Sequence, residues 1–199
     1  MDGAASESWL AEAEARFRSL STYRTTIQST AADGERQVMR YSYRKPGWVR
    51  IEFIQPHKGL VLIYDPAAHK VRIWPFGLQR LPAPSLAPEN PLLRGRSGQR
   101  IDHSDVGALL ENLLQLRACG SVAPLDEMDI AGRPALGLDI AGAAGAGVAG
   151  VHRYHVWLAR DSLFPLKVEN FDVGERLIET VDMRDAEIDV PFPERFFVP

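Results

Sequence analysis

The chain has 199 residues, of which 45% are hydrophobic and 25% are charged. This balance argues against a disordered chain, and the length fits one large domain, so we predict a single domain over residues 1–199. A formal net charge of -3 provides no overall positive field to bind nucleic acid. The single cysteine, Cys119, excludes an internal disulfide and a cysteine-rich metal site.

The sequence contains no apolar stretch approaching about 18 residues, so no transmembrane helix is predicted. Residues 1–6 lack the basic and apolar regions of a signal peptide. Two interpretations stay open: a cytoplasmic protein, or the mature form of an exported protein with an added start methionine. A lone cysteine is compatible with both compartments.

The first predicted element is an amphipathic helix over residues 6–20. Its large apolar side chains and one alanine fall on one face: Trp9, Leu10, Ala13, Phe17 and Leu20. Such a helix needs an apolar partner to cover that face.

Residues 22–74 are typical of an antiparallel meander, with turn residues such as Asp33-Gly34 between apolar or alternating segments. The predicted strands are 23–29, 37–43, 48–54, 60–64 and 70–74. In the second half, the predicted strands are 125–131, 135–140, 152–159, 166–171 and 176–183. A sheet of about ten strongly twisted strands tends to curl.

A proline-rich segment, residues 77–100, interrupts the pattern. Pro82, Pro84, Pro88 and Pro91 exclude a helix interior or a central strand, and long loops of this kind often serve as lids or binding loops. Residues 102–117 then have apolar positions at helical spacing, which predicts a second helix that could cover the sheet.

Together these elements predict a mainly β fold with two helices, in which a single antiparallel, strongly curved sheet is covered by the helices on its concave face. Apolar concave surface is a common place for a ligand. The side chains predicted to face inward are Val49, Ile51, Phe53, Leu62, Tyr64, Val71, Ile73, Tyr154, Val156, Leu158, Leu166 and Val168.

Two short motifs have simpler structural interpretations. Residues 145–150 match G-x-G-x-x-G, but a dinucleotide site needs a helix after the last glycine, and residues 151–158 have a strand pattern. A hairpin loop is therefore predicted. Asp102, His103 and Ser104 are the residue types of a catalytic triad, but consecutive residues cannot converge with that geometry, so a polar helix cap is predicted.

No metal, cofactor or catalytic site is predicted. His152 and His155 are three residues apart on a predicted strand and therefore point to opposite faces. Asp126, Glu127 and Asp129 are interpreted as a solvated face rather than as an acid/base pair.

A basic cluster, Arg94, Arg96 and Arg100, precedes the second helix. It is interpreted as a solvated turn, with contact to lipid headgroups or to an acidic partner as the functional alternative. Nucleic acid is not favoured, because no aromatic side chains are interleaved there.

The segment RKPGWVRIEF at residues 44–53, the Gln55-Pro56 break and residues 60–65 resemble the LolA-like family of periplasmic lipoprotein carriers. The element order and the tail at 191–197 are also similar. The resemblance implies an unclosed β-barrel with lid helices and an apolar cavity that holds the acyl chains of lipoproteins on their way to the outer membrane.

This resemblance and the inward-facing pattern together define the predicted lipid cavity. Its residues are Val49, Ile51, Phe53, Leu62, Tyr64, Ile73, Leu109, Leu113, Tyr154, Val156, Leu158 and Val168. In the family, an arginine before a proline helps to hold the lid closed. Here that position is Lys45, preceded by Arg44, and a lysine cannot make the same forked contact. Arg44, Lys45, Arg50 and Arg96 are predicted to contact the lid or a lipid headgroup.

Three functions remain open at this stage. The first is a periplasmic carrier of a lipid or acylated lipoprotein, without enzymatic activity, which works with a membrane-anchored donor or acceptor protein. The second is a regulatory module of the same fold that senses lipid or lipoprotein. The third is a lipid hydrolase, which would require Ser, His and Asp to converge in the cleft.

Overall fold

The protein is described from a computed structural model, which covers residues 3–96 and 98–199. Its helices are α1 (Gly3–Ser19) and α2 (Val106–Ala118), with 3₁₀ turns at Pro91–Leu93 and Ile101–His103. In the first half, the strands are β1 (Thr22–Ala31), β2 (Arg36–Arg44), β3 (Trp48–Gln55), β4 (Val61–Asp65), β5 (Lys70–Trp74) and β6 (Ala83–Leu86). In the second half they are β7 (Gly120–Ile130), β8 (Arg133–Gly142), β9 (Arg153–Ala159), β10 (Pro165–Phe171), β11 (Leu177–Asp182) and β12 (Glu187–Ile188).

Within these described residues, the strands form one antiparallel sheet of 12 strands. The order is β6-β5-β4-β3-β2-β1-β11-β10-β9-β8-β7, with β12 paired to β1. The order ends at β6 and β7, so the sheet is not closed. The predicted fold class, mainly β with two helices and a single open antiparallel sheet, is therefore confirmed.

Several elements differ from the predicted ones; strand β7, for example, begins at Gly120 and not at residue 125. The second helix begins at Val106 and not at residue 102, because residues 101–103 form a separate 3₁₀ turn. The proline-rich segment contains β6, where Pro84 is tolerated because this strand lies at the sheet edge. The two-residue strand β12 is too short to leave a sequence pattern.

The chain forms two compact units. The helix-bearing unit comprises α1, residues Gln28–Arg36 and residues Val106–Ala186. The tail-bearing unit comprises residues Leu20–Ile27, Gln37–Asp105 and Glu187–Pro199. The prediction of a single domain stays a prediction.

In the helix-bearing unit, α1 lies against α2 and β7, and α2 lies against β7 and β8. Apolar side chains from the helices and strands are almost completely buried in this unit: Leu10, Leu110, Leu113, Leu116, Leu138, Ile140, Val156, Leu158 and Leu166. Neither α1 nor α2, the helices of the described chain, is long and apolar enough to span a membrane.

In the tail-bearing unit, one face of β3–β5 carries a cluster formed by Val61, Ile63, Trp74 and Phe197. Phe197 belongs to the C-terminal tail (residues 191–199), so the tail covers this face. The aromatic side chains of the tail pack on one another, with the Phe196 and Phe197 ring centroids 5.1 Å apart.

Candidate functional site

The predicted cavity residues divide equally between the two units. Those in the tail-bearing unit are Val49, Ile51, Phe53, Leu62, Tyr64 and Ile73. Those in the helix-bearing unit are Leu109, Leu113, Tyr154, Val156, Leu158 and Val168.

In the helix-bearing unit, five of these six residues are buried and Leu109 is half-buried. Val156 pairs with Leu138 and Val168 across three strands, and all three side chains are buried. Burial raises the pKa of Tyr154 to about 12, and its hydroxyl is hydrogen-bonded to Asn112 of α2. This hydrogen bond fastens α2 to β9. Leu110, Leu113 and Leu116 of α2 are buried in this unit, as in a core helix, and the movable lid stays a prediction.

In the tail-bearing unit, the predicted residues share one face of the sheet. Val49 pairs with Tyr64, and Leu62 pairs with both Ile51 and Ile73, so their side chains lie on the same side. We call this surface the apolar face; it also includes Phe53. Val49, Ile51, Leu62 and Tyr64 are buried, whereas Phe53 and Ile73 remain half-buried.

The opposite face of the same strands is occupied by the tail. Arg50 is buried and donates a hydrogen bond of 2.8 Å to the Phe196 carbonyl oxygen, and its guanidinium lies 4.0 Å from the Phe196 ring centroid. The Arg44 guanidinium lies 4.6 Å from the Phe197 ring centroid. Both side chains contact the tail in this structure, and the lid or headgroup contact predicted for Arg44 and Arg50 stays a prediction.

The other two predicted lid or headgroup contacts lie elsewhere. Lys45 is half-buried, and its backbone N–H donates to the Ser21 carbonyl oxygen at 3.0 Å. Arg96 is exposed in the proline-rich segment. Headgroup contact at these two positions stays a prediction.

A strap formed by residues 87–96 and 98–105 follows β6. It begins at a 3₁₀ turn, where the Asn90 side chain accepts a hydrogen bond from the Leu92 amide and Pro91 starts the turn. Leu93 and Ile101 of the strap are buried. Their burial indicates that the strap packs its own apolar side chains inward.

One anchor of the strap lies at its C-terminal end. The Tyr41 and Ser104 hydroxyl oxygens are 2.7 Å apart, and the Ser104 hydroxyl donates to the Ile101 carbonyl oxygen. Burial and the charge of Asp105 raise the pKa of Tyr41, so its phenol keeps its proton and donates to Ser104. Tyr41 pairs with Ile51 in the sheet, which places this anchor beside the apolar face.

A second anchor is ionic. The Arg100 guanidinium is 2.6 Å from oxygens of both Glu89 and Asp102, and His69 Nε2 is 2.7 Å from Glu89 Oε1. Burial opposes ionisation of Asp102, but the hydrogen bonds and charge of Arg100 outweigh it and lower the pKa of that carboxyl. His69 Nδ1 lies 3.3 Å from the Tyr64 hydroxyl, so this network connects the strap to the apolar face.

We expect Arg100→Gln to loosen the strap at neutral pH. A group with a lowered pKa in the folded state contributes stability above about pH 4, its ordinary value, and that stability is lost as the pH falls further. Amide hydrogen exchange in the strap should become about fivefold faster, equivalent to about 1 kcal/mol. The difference from the wild type should shrink as the pH falls below about 4 and vanish below the lowered pKa of Asp102; a difference that does not shrink in acid would contradict this account.

The same polar groups offer weak support for metal binding or catalysis. His69, Glu89 and Asp102 each offer one potential ligand atom, and these three atoms lie within 4.8 Å of one another. A cation there would have to displace the Arg100 guanidinium, which already neutralises both carboxylates. The Ser104 hydroxyl is bonded to Tyr41 and Ile101, whereas the His103 imidazole is 3.7 Å from Asp102, so these side chains do not form a nucleophile–base pair with each other.

The glycine-rich motif lies in the loop between β8 and β9, as predicted. Val148 and Val151 form an isolated bridge there, and the loop continues into a strand. A dinucleotide site would require a helix at this position. The hairpin-loop interpretation is confirmed.

Sequence reasoning missed both anchors of the strap. Tyr41 is 63 residues from Ser104, and His69 is 20 residues from Glu89, so no local spacing brings them together. The alternation of Tyr41 and Tyr43 indicates only that both rings lie on one face of β2. In the structure both rings stack on Tyr23, at 5.9 and 5.1 Å between centroids.

No protein-family model matches this sequence, and a search of curated protein sequences finds no match. Solved structures do match it. The complex of MucA and MucB from Pseudomonas aeruginosa is similar over 98% of this chain and 61% of the matched chain, with 16% identity and a TM-score of 0.60. The chain thus spans about three fifths of that matched chain.

Two further structures match over nearly their whole lengths. An uncharacterized conserved protein from Thermus thermophilus has a TM-score of 0.55 and 12% identity, over 96% of this chain and 91% of that one. The lipoprotein LppX from Mycobacterium tuberculosis also has a TM-score of 0.55 and 12% identity, over 94% of this chain and 98% of that one. The chain therefore shares its overall fold with these three structures, at 12–16% sequence identity.

Proposed function

We propose that this protein binds the acyl chains of a lipid or lipoprotein on the apolar face of the tail-bearing unit and carries them through the periplasm toward the outer membrane. The observation that carries the proposal is the apolar face itself. Its residues line one side of β3–β5, two of them remain partly exposed, and a separately anchored strap lies beside it. The resemblance of residues 44–65 to the LolA-like family supports the same conclusion.

Burial of apolar surface supplies the binding energy in this proposal. Each acyl CH₂ removed from water contributes about 0.8 kcal/mol, so ten of them contribute roughly 8 kcal/mol. Release requires a competitor for the same surface. Leu93 and Ile101 of the strap are buried apolar side chains that can close over the face when the ligand leaves.

Binding without catalysis is part of the proposal. The Ser104 hydroxyl is bonded to Tyr41 and Ile101 and not to His103, and the polar anchors hold the strap. This arrangement supports a binding protein.

A titration with a fluorescent fatty acid tests the proposal directly. We expect saturable binding to the purified protein, and mass spectrometry of lipids extracted from it should reveal acylated molecules. A protein that carries no lipid and shows no saturable binding would refute the proposed function.

The two partly exposed residues provide a sharper prediction. Phe53→Ser and Ile73→Ser should each weaken fatty-acid binding by about tenfold, because each removes apolar contact worth about 1.5 kcal/mol. Leu177→Ser, at an exposed leucine on β11 in the other unit, is the matched control and should leave the dissociation constant unchanged. Equal losses in all three variants would place the ligand elsewhere.

A regulatory module is the second candidate, favoured by the similarity to the MucA–MucB complex over 98% of this chain. In this role the protein would report a bound lipid or lipoprotein to a protein partner. Isolation of a stable partner, combined with no transfer of lipid between vesicles, would favour regulation over transport.

A further inference from the structure

Two chain connections lie at the same end of the tail-bearing unit. Residues 56–60 join β3 to β4, and residues 75–82 join β5 to β6. Because Val61 at the start of β4 pairs with Trp74 at the end of β5, these connections are neighbours. The Gly59 carbonyl oxygen lies 3.8 Å from the position that a Cβ on Gly77 would take, so the two connections touch. We call them together the tip.

The tip presents large apolar side chains to solvent. Phe76 is 82% exposed and Leu81 is 91% exposed, although they lie only five residues apart in the same connection. Single exposed apolar residues are normal on a protein surface, whereas exposed apolar side chains that form a patch mark interaction sites. Side chains this exposed protrude and do not line a groove, which suits insertion into a soft apolar layer.

The charge at the tip is of one sign. Its two connections contain Lys58 and Arg80, both exposed, and neither Asp nor Glu, in a chain whose net charge is -3. Basic side chains next to protruding apolar ones are typical of segments that bind the interface of anionic membranes. An acidic lipid surface therefore complements the tip both in charge and in polarity.

We propose that the tip docks this protein onto an anionic membrane surface, with Phe76 and Leu81 inserted between the lipids and with Lys58 and Arg80 facing the headgroups. The inference deepens the proposed function, on which its purpose rests, because the half-buried Phe53 and Ile73 lie near the same ends of β3 and β5. Docking by the tip brings the open part of the apolar face next to the membrane that gives or receives the acyl chain.

Cosedimentation with vesicles tests this inference on the whole chain. The vesicles contain phosphatidylcholine and phosphatidylglycerol in equal parts, with pure phosphatidylcholine as the comparison. We expect binding to the anionic vesicles that weakens as salt is added. The double variant Phe76→Ser/Leu81→Ser should reduce vesicle binding by about tenfold or more, and Lys58→Gln/Arg80→Gln by a similar factor on anionic vesicles only.

Leu92→Ser is the matched control, because Leu92 is 84% exposed but follows Glu89, whose contact with His69 places it at the opposite end of β5. It should bind vesicles like the wild type, and unchanged thermal unfolding would show that all variants are folded. Absence of wild-type vesicle binding, or an equal loss in the control, would overturn the inference. Tip variants that keep vesicle binding but no longer capture a protein partner would also overturn the inference.

The two proposals fail separately. Fatty-acid binding in solution without vesicle binding would reject docking and leave the proposed function intact. Vesicle binding through the tip without saturable fatty-acid binding would reject the proposed function and leave docking intact. The tip variants should bind the fluorescent fatty acid with the wild-type dissociation constant.

Discussion

Replacement of Leu113 by alanine is expected to lower the free energy of unfolding by about 2–5 kcal/mol. Leu113 is fully buried, and α2 lies against α1, β7 and β8. The substitution removes apolar contacts and leaves a cavity that a well-packed core fills only in part. Urea unfolding should show a lower midpoint with an unchanged slope.

This experiment separates a core helix from a movable lid. A lid that opens easily contributes little to global stability, whereas a core helix contributes strongly. Gln115→Ala, at an exposed position of the same helix, is the control and should change stability by less than about 0.5 kcal/mol. A loss below about 1 kcal/mol for Leu113→Ala would restore the interpretation of α2 as a lid.

Phe197→Ala should be at least as destabilising, with an expected loss of about 3–5 kcal/mol. Phe197 is fully buried, its ring centroid is 6.1 Å from that of Trp48 and 5.3 Å from that of Phe192, and the Arg44 guanidinium lies over its ring. Removal of the ring would leave Arg44 and the β3–β5 cluster partly uncovered. Thermal and urea unfolding both measure this loss.

Phe76→Ala is the matched control, because it removes the same ring from a position that is 82% exposed. It should change the free energy of unfolding by less than about 0.5 kcal/mol. If the two substitutions had similar effects, the tail would not be a structural cover, and the face beneath it would become a second candidate for ligand binding.

Much of the apolar face could be predicted from alternation alone. Val49, Ile51 and Phe53 alternate on β3, and the strand pattern assigns them to one side without any knowledge of pairing. The surroundings of Arg50 show the limit of alternation. Alternation places it on the other side of the sheet, but only the tertiary structure shows that the tail covers that side and buries the guanidinium.

The role of the second helix illustrates another limit. An amphipathic pattern indicates that Leu113 faces something apolar, but it does not distinguish a permanent core from a lid, because both bury the same stripe. The hydrogen bond between Asn112 and Tyr154 favours a core helix, and it joins residues 42 positions apart in the chain.

The sequence by itself determined the strand-rich class, the hairpin order and the side of each strand that is apolar, since periodicity and turn residues are local properties. Only the tertiary structure decided which apolar surfaces are filled and which stay accessible. Whether a surface is filled depends on contacts between distant segments, such as the packing of Phe197 against β4 and the hydrogen bond between Ser104 and Tyr41. Those contacts form only when the chain is folded, so no local pattern records them.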